Sequence, residues 1–211
     1  MTAQPSLFEP DRKCIELADG FFMLPGFADT ATLSEQIDLI SRQAEFRHMK
    51  VGGGQPMSVA MSNCGPWGWT SSSSGYAYSA TDPLTQRPWP AMPVSFLALA
   101  QSAAIAAGFA PFEPDACLIN RYAVGASLGV HQDRDEQDLR QPIVSVSIGA
   151  SATFQLGGIK RSEALRSLPL HDGDVLVWGG PSRLRFHGVK KLKPFAGEPQ
   201  TRHNLTFRKA K

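Results

Sequence analysis

The stretch HQDRDE at 131–136 places five residues able to bind a metal, a proton or an anion within six positions. Alternate residues of an extended chain face the same way. If ASLGVHQD is a strand, His131 and Asp133 project together, about 7 Å apart at the backbone. One imidazole and one carboxylate are two ligands, and a metal site needs a third. The HxD spacing alone does not separate such a site from a solvated acidic turn. The remaining histidines are His48, His171, His187 and His203. His187 is the best placed. In RLRFHGV, Leu184 and Phe186 alternate with Arg183, Arg185 and His187, so a strand there packs its apolar side and turns His187 to the other.

Two histidines and a carboxylate make the facial triad that holds Fe(II) and leaves positions open for a cosubstrate and oxygen. The segment RHNLTFR at 202–208 bears on the cosubstrate. Alternation puts Arg202, Asn204, Thr206 and Arg208 on one face, with His203, Leu205 and Phe207 on the other. An unpaired buried charge is costly, so two arginines on an inward face imply an anion there. Six residue steps separate them by roughly 20 Å. Two stems leaning together each cover about 6–7 Å, leaving a gap of roughly 6–8 Å that suits a short dicarboxylate held by guanidinium forks. An exposed edge strand with solvated charges would show the same pattern, so this segment alone leaves both readings open.

The elements that must position these residues come in two textures. TATLSEQIDLISRQAEF (30–46) carries Leu33, Ile37, Ile40 and Ala44 at helical spacing, and Thr32 with Glu35 offers a capping box. PVSFLALAQSAAIAAGF (93–109) reads as a second helix, with proline near its start and Gly108 near its end. Residues 47–90 look irregular, rich in glycine and serine. They carry Trp67, Trp69, Tyr76, Tyr78 and Trp89, with Asp82 the one acid against Arg47, Lys50 and Arg87. Long irregular segments in a compact domain are usually functional or disordered, and aromatics argue against disorder. From about 115 onward DACLINRYA, PIVSVSIG, ATFQLGG, DVLVWGG, RLRFHGV and RHNLTFR read as closely spaced strands, the texture of an antiparallel sandwich or barrel.

The 211 residues suffice for one domain with a proper core. Three dispersed cysteines (Cys14, Cys64, Cys117) form no disulfide framework and suit a reducing compartment. No apolar run approaches the ~20 residues that span a bilayer. MTAQPSLFEPDRK lacks a signal-peptide layout, so the expectation is a cytoplasmic chain with no membrane partner. Charge is uneven. Residues 1–46 hold eight acids against three bases, net −5, whereas 183–211 hold nine bases against Glu198, net +8. A basic end can serve a polyanion or be a solvated tail.

Taken together, HQD at 131–133, His187 and RHNLTFR resemble the AlkB-type Fe(II)/2-oxoglutarate dioxygenases, which oxidatively dealkylate nucleic acids. MSVAMSNCG (57–65), RPWPAMP (87–93), PDACLINRYA (114–123), PIVSVSIG (142–149), FQLGG (154–158), GDVLVWGG (173–180) and the final NLTFR resemble the bacterial branch, over residues 20–208. The resemblance implies one catalytic domain over 1–211: an α+β, mainly β fold with a double-stranded β-helix (jelly-roll) core at 115–208. Helices would buttress that core, and residues 45–90 would form a nucleotide-recognition lid.

Position by position, the resemblance implies iron on His131, Asp133 and His187. It implies the far carboxylate of 2-oxoglutarate on Arg202, helped by Tyr122 and Asn204, with Asn120 and Arg208 beside the keto-acid end. Trp69 would stack a damaged base against His131, with Met61 in the same pocket. Asp135 would read the exocyclic nitrogen, and Tyr76, Arg134 and Arg161 would meet the nucleic-acid backbone or base edge. Three departures stand out. His203 replaces a usual tyrosine but faces away from Arg202, Val51 replaces a hydroxyl residue near phosphate, and the stretch before Arg202 is slightly short. Trp178 and Leu118 are expected as packing, Trp67 and Trp89 as lid buttresses, Cys117 as an inert buried thiol, and His48 and His171 at the surface.

The activity so implied consumes 2-oxoglutarate and O2, yields succinate and CO2, and strips N-alkyl groups of the 1-methyladenine or 3-methylcytosine type, releasing formaldehyde. The expected partner is DNA, single-stranded by preference, bound by a monomer. RNA or a protein side chain is a second possible substrate. A non-catalytic binder of alkylated bases is a third reading, which the intact triad and both arginines argue against.

Overall fold

The computed structural model describes residues 13–211, apart from 52, 73, 74 and 195. The leading residues 1–12, with most of the segment read for a signal peptide, and half of the serine run at 71–74 lie outside the described residues. A mainly β architecture with two helices results.

Its centre is β14 (Thr201–Arg208), which pairs antiparallel with β9 (Ile143–Gly149) on one side and β7 (Ala116–Ala123) on the other. The edge-strand reading of RHNLTFR is thereby excluded. The two faces of β14 behave as alternation requires. Leu205 and Phe207 enter one hydrophobic core, while Arg202, Asn204, Thr206 and Arg208 are buried on the opposite side.

The sheet order outward from β14 is β12 (Val175–Trp178) beyond β9, then β2 (Phe21–Leu24) and β1 (Ile15–Ala18). In the other direction β7 is followed by β4 (Pro56–Cys64) and β3 (Arg47–Lys50). A second sheet has the order β11 (Arg166–Leu170), β10 (Ala152–Leu156), β13 (His187–Val189) and β8 (Leu128–His131). The strands β7 to β14 thus divide four and four between two antiparallel sheets. That is a jelly-roll core, with β1–β2 and β3–β4 extending the larger sheet at its edges. Strand β11 contains Pro169 and lies at an edge, where a missing N–H costs nothing.

Helices α1 (Thr30–Ser41) and α2 (Val94–Ala106) cover the outer face of the large sheet. Leu33, Ile37 and Ile40 of α1, and Phe96, Ala100, Ala103 and Ala104 of α2, pack with Val144, Val146, Leu205 and Phe207. Burying each large aliphatic or aromatic side chain stabilises the fold by about 1.5–3 kcal/mol. The helix α1 starts two residues before the expected capping box. Asp29 is its N-cap, and the Thr32 hydroxyl donates to the Asp29 carboxylate (2.7 Å) instead of capping. It also stops short of Ala44, which stays buried in the turn leading to β3.

Two further expectations change. Residues 47–90 are not irregular: they supply β3, β4 and a separate hairpin of β5 (Gly68–Ser72) and β6 (Gly75–Ser79). Strand β4 exists because β7 offers it a partner, a long-range fact that local glycine, serine and proline content conceals. RLRFHGV is a strand only at its last three residues. The chain first makes a single 3-10 turn at Gly180–Ser182, which carries Arg183 into the interior rather than along a strand face. Cys117 and Trp89 are buried and His48 and His171 exposed, as expected. No helix among the described residues is long and apolar enough to cross a membrane.

Candidate active site

All fourteen side chains singled out from the sequence border one cavity of ≈ 600 Å³ between the two sheets, with the β5–β6 hairpin at its mouth. His131 and His187 are direct partners across the antiparallel pair β8–β13, and their ring centroids lie 4.5 Å apart. Gly188 permits this approach: a Cβ there would stand 2.8 Å from the Leu128 carbonyl oxygen. Each histidine holds a backbone carbonyl through Nδ1, His131 with Gly129 (2.8 Å) and His187 with Arg185 (3.0 Å). A proton on Nδ1 leaves Nε2 of both rings as free lone-pair donors. These point at the Asp133 carboxylate, at 3.5 Å from His131 and 3.7 Å from His187. The three residues bring ligand atoms within 4.8 Å of one another and could hold a metal ion.

The electrostatics of the triad are strongly divided. Burial opposes the Asp133 charge, but Arg208 and the two histidines outweigh it and hold the carboxyl well below its ordinary pKa. Burial lowers His131, yet the hydrogen bond and charge of Asp133 outweigh it and raise its pKa. Burial, then repulsion from His131, depresses His187 to about 4. Phe154 stacks on His187 at 5.8 Å and Trp178 meets it edge-on at 5.1 Å, giving the triad an apolar wall. Trp178 and Leu118 are therefore packing residues that also line the cavity.

The floor is the polar face of β14 with its neighbours. Arg202 lies opposite Tyr122, and Asn204 opposite Asn120. Asn204 donates to Ser145 (2.9 Å) and to the Val146 carbonyl (3.0 Å), and accepts from Asn120 and Thr206. Arg202 donates to Ser147 (2.9 Å), but its Nε and Nη1, the Tyr122 hydroxyl and the Asn120 amide oxygen are buried without a partner. Burial lowers the Arg202 pKa, as expected for a cation with no facing carboxylate. Arg208 differs. It grips Asp133 through Nη2 (2.8 Å) and Nε (3.2 Å) and approaches Glu136 at 3.4 Å. The two arginines are not equivalent ends of one clamp, because the fold itself neutralises Arg208.

At the mouth Trp69 stacks on Tyr76 (5.2 Å between centroids) and donates its indole N–H to Asp135 (2.9 Å). Met61 is buried beneath, while Arg134 and Arg161 are exposed at the rim. Arg161 lies over the Phe186 ring at 4.8 Å.

Sequence reasoning missed the supports. The Asn63 amide clamps the Trp69 backbone with two 3.0 Å bonds, imitating a strand partner. Trp89, by contrast, buttresses the hairpin as expected, so closely that a Cβ on Gly68 would meet its indole at 2.3 Å. Gln132 donates to the Leu184 carbonyl (2.6 Å), and Glu136 is buried between Tyr78, Arg183 and Arg208. Nothing local in HQDRDE marks Glu136 as buried, because its partners Tyr78, Arg183 and Arg208 lie in distant segments.

The model of the 2OG-Fe(II) oxygenase superfamily matches residues 20–208. The chain belongs to this superfamily. It is 56% identical to the alpha-ketoglutarate-dependent dioxygenase AlkB of Escherichia coli over 92% of each chain. It is 43% identical to the nucleic acid dioxygenase ALKBH1 of Mus musculus, over 46% of this chain and 25% of that one. The structure of OsALKBH1 superposes with a TM-score of 0.81 at 29% identity, covering 92% of this chain and all of that one. As a 2OG-Fe(II) oxygenase the protein uses Fe(II), 2-oxoglutarate and O2. The cavity fits both groups. The histidine–aspartate set suits a divalent ion with open positions. The unpartnered donors of Arg202 and Tyr122 suit a carboxylate.

Proposed function

We propose that this 2OG-Fe(II) oxygenase removes N-alkyl groups from 1-methyladenine- and 3-methylcytosine-type bases in DNA, preferring single strands and working as a cytoplasmic monomer. The observation that carries the reading is the joining, in one cavity, of the triad, the unsatisfied Arg202–Tyr122 end and an aromatic hairpin at the mouth. Residues 45–90 act as the recognition lid of a single catalytic domain whose core is 115–208.

His131, Asp133 and His187 would hold the iron, with the Nδ1 bonds of the two histidines fixing their tautomers. Arg202, with Tyr122 and Asn204, takes the far carboxylate of 2-oxoglutarate, while Asn120 and Arg208 flank its keto-acid end. Iron held there would let O2 oxidise both 2-oxoglutarate, to succinate and CO2, and the N-alkyl carbon, to a hydroxylated group that leaves as formaldehyde from a methyl lesion. A base must leave its stack to reach the triad, and aromatic faces hold it there. Trp69 and the His131 ring form that slot, with Met61 at its side. Asp135 accepts from the exocyclic amine, and its bond to the Trp69 indole sets the ring's orientation. Tyr76, Arg134 and Arg161 meet the strand outside.

The deciding experiment supplies anaerobic protein with Fe(II) and 2-oxoglutarate, then air and single-stranded oligonucleotides bearing either lesion. Loss of methyl mass from DNA with stoichiometric succinate is expected. Turnover confined to RNA would redirect the reading to RNA, and tight binding without succinate would leave a non-catalytic binder.

Trp69→Ala should weaken oligonucleotide affinity roughly 5- to 150-fold, since base–aromatic stacking contributes about 1–3 kcal/mol. Fluorescence anisotropy checks this, and unchanged affinity would remove Trp69 from the slot.

Metal binding should follow one proton. His187, at about 4, is already neutral at mild acidity, whereas His131, raised above its ordinary ~6.5, must lose a proton before it can bind. Co(II) affinity should therefore fall as pH drops through the His131 pKa, about tenfold per pH unit below it. A titration from pH 5 to 8 showing a two-proton slope would contradict this. The same proton tightens the metal-free triad: its stabilising effect is complete below the unfolded pKa and is lost as pH rises through the raised one.

A further inference from the structure

We propose that Tyr78 and Glu136 are positioning residues that transmit the state of the β5–β6 hairpin to the metal ligand Asp133. This inference rests on the nucleic-acid reading of the site. Trp69 and Tyr78 are direct partners across the hairpin, and they grip successive acids of the turn that follows Asp133. Trp69 donates to Asp135, and the Tyr78 hydroxyl donates to Glu136 Oε1 at 2.6 Å. Burial keeps the Tyr78 phenol protonated, so it remains a donor.

Glu136 is divided between two arginines. Its Oε2 takes Arg183 Nη2 at 2.8 Å, and Arg183 Nη1 also holds the Asp133 carbonyl at 2.7 Å. The turn from 133 to 136 is thus tied as one unit. Its Oε1, the atom that accepts from Tyr78, lies 3.4 Å from Arg208 Nε. Arg208 in turn donates to Asp133 Oδ2 from both Nε and Nη2.

The geometry defines a competition. While the hairpin lies down, Tyr78 occupies Oε1, and Arg208 stays on Asp133 with the carboxylate facing both imidazoles. If the hairpin lifts, Oε1 loses its donor and draws Arg208 Nε toward itself and away from Asp133. A single strand that holds the hairpin down should therefore preorganise the triad, and by linkage metal and nucleic acid should favour each other's binding.

The test measures Co(II) affinity of the full chain by visible absorption, with and without a saturating single-stranded oligonucleotide carrying 3-methylcytosine. In the native chain the oligonucleotide should tighten Co(II) binding at least about fivefold, the lower end of usual coupling between sites. In Tyr78→Phe, which removes only a hydroxyl, the ratio should fall to about one, because Oε1 is then open to Arg208 Nε with or without the strand. Glu136→Gln should also lose the coupling, because its amide cannot accept as a carboxylate does. Coupling that survives in both variants overturns the proposal. So does a loss of Co(II) affinity in Tyr78→Phe that is equal with and without oligonucleotide, which would mark plain structural support. A native chain that binds oligonucleotide with no change in Co(II) affinity overturns the proposal and leaves the nucleic-acid reading standing. No oligonucleotide binding at all overturns that reading too.

Discussion

Arg202→Met should make the metal-free protein more stable and nearly unable to bind 2-oxoglutarate. The Arg202 side chain is 1% exposed, makes one hydrogen bond to Ser147, and leaves Nε and Nη1 unpartnered beside an unpartnered Tyr122 hydroxyl. A buried cation so poorly compensated costs stability, and an apolar replacement of similar length is often stabilising by about 1–4 kcal/mol. For a chain of this size that raises the melting midpoint by about 2–4 °C per kcal/mol. Removing one partner of a desolvated charge pair costs binding about 2–5 kcal/mol, or roughly 30- to 4000-fold in affinity for 2-oxoglutarate. Calorimetry with Co(II) present, beside a thermal melt of the apo chain, reads both quantities. A lower midpoint would show that the guanidinium is satisfied without an anion and would weaken the assignment of Arg202 to the far carboxylate. Arg208 should behave oppositely. It already pairs with Asp133 and Glu136, so its removal strands two buried carboxylates and should destabilise the apo fold.

His131→Ala should abolish succinate formation even without nucleic acid, and should lower Co(II) affinity by more than about 100-fold. Loss of an outer-shell partner costs about 10- to 100-fold, and a direct ligand exceeds that. The fold should survive. The ring is 35% exposed, at the end of β8, and its backbone pairing to His187 does not depend on the side chain. A native-like melt with no Co(II) spectrum is the expected pair of results. Succinate released at the native rate would show that His131 is not a ligand.

Much of this site was legible in local pattern. The split personality of RHNLTFR, polar residues toward the cavity and Leu205 and Phe207 toward the helices, follows from period-two alternation, and β14 has that arrangement over its full length. His131 and Asp133 likewise converge, although β8 ends at His131 and the parity of a strand cannot be what aims Asp133. The carboxylate is aimed by Arg208, 75 positions away in the chain. His187 owes its place to strand pairing rather than to strand parity. Only HGV is a strand, and its partner β8, not the alternation of Leu184 and Phe186, sets the ring against His131.

The family resemblance and the inward face of the last strand were determined by sequence alone, because side-chain period and residue type are local properties. Tertiary structure decided which charges are spent and which remain open. Arg202 and Arg208 are six residues apart on one face, yet Arg208 is neutralised by Asp133 and Glu136 while Arg202 keeps two buried donors without a partner. Tertiary structure also turned residues 47–90 from an irregular run into two strands of the large sheet and a hairpin fastened by Asn63, Trp89 and Tyr78. Alternation says toward which side a residue points. The neighbour that meets it there belongs to a distant segment, and only sheet pairing brings that segment in.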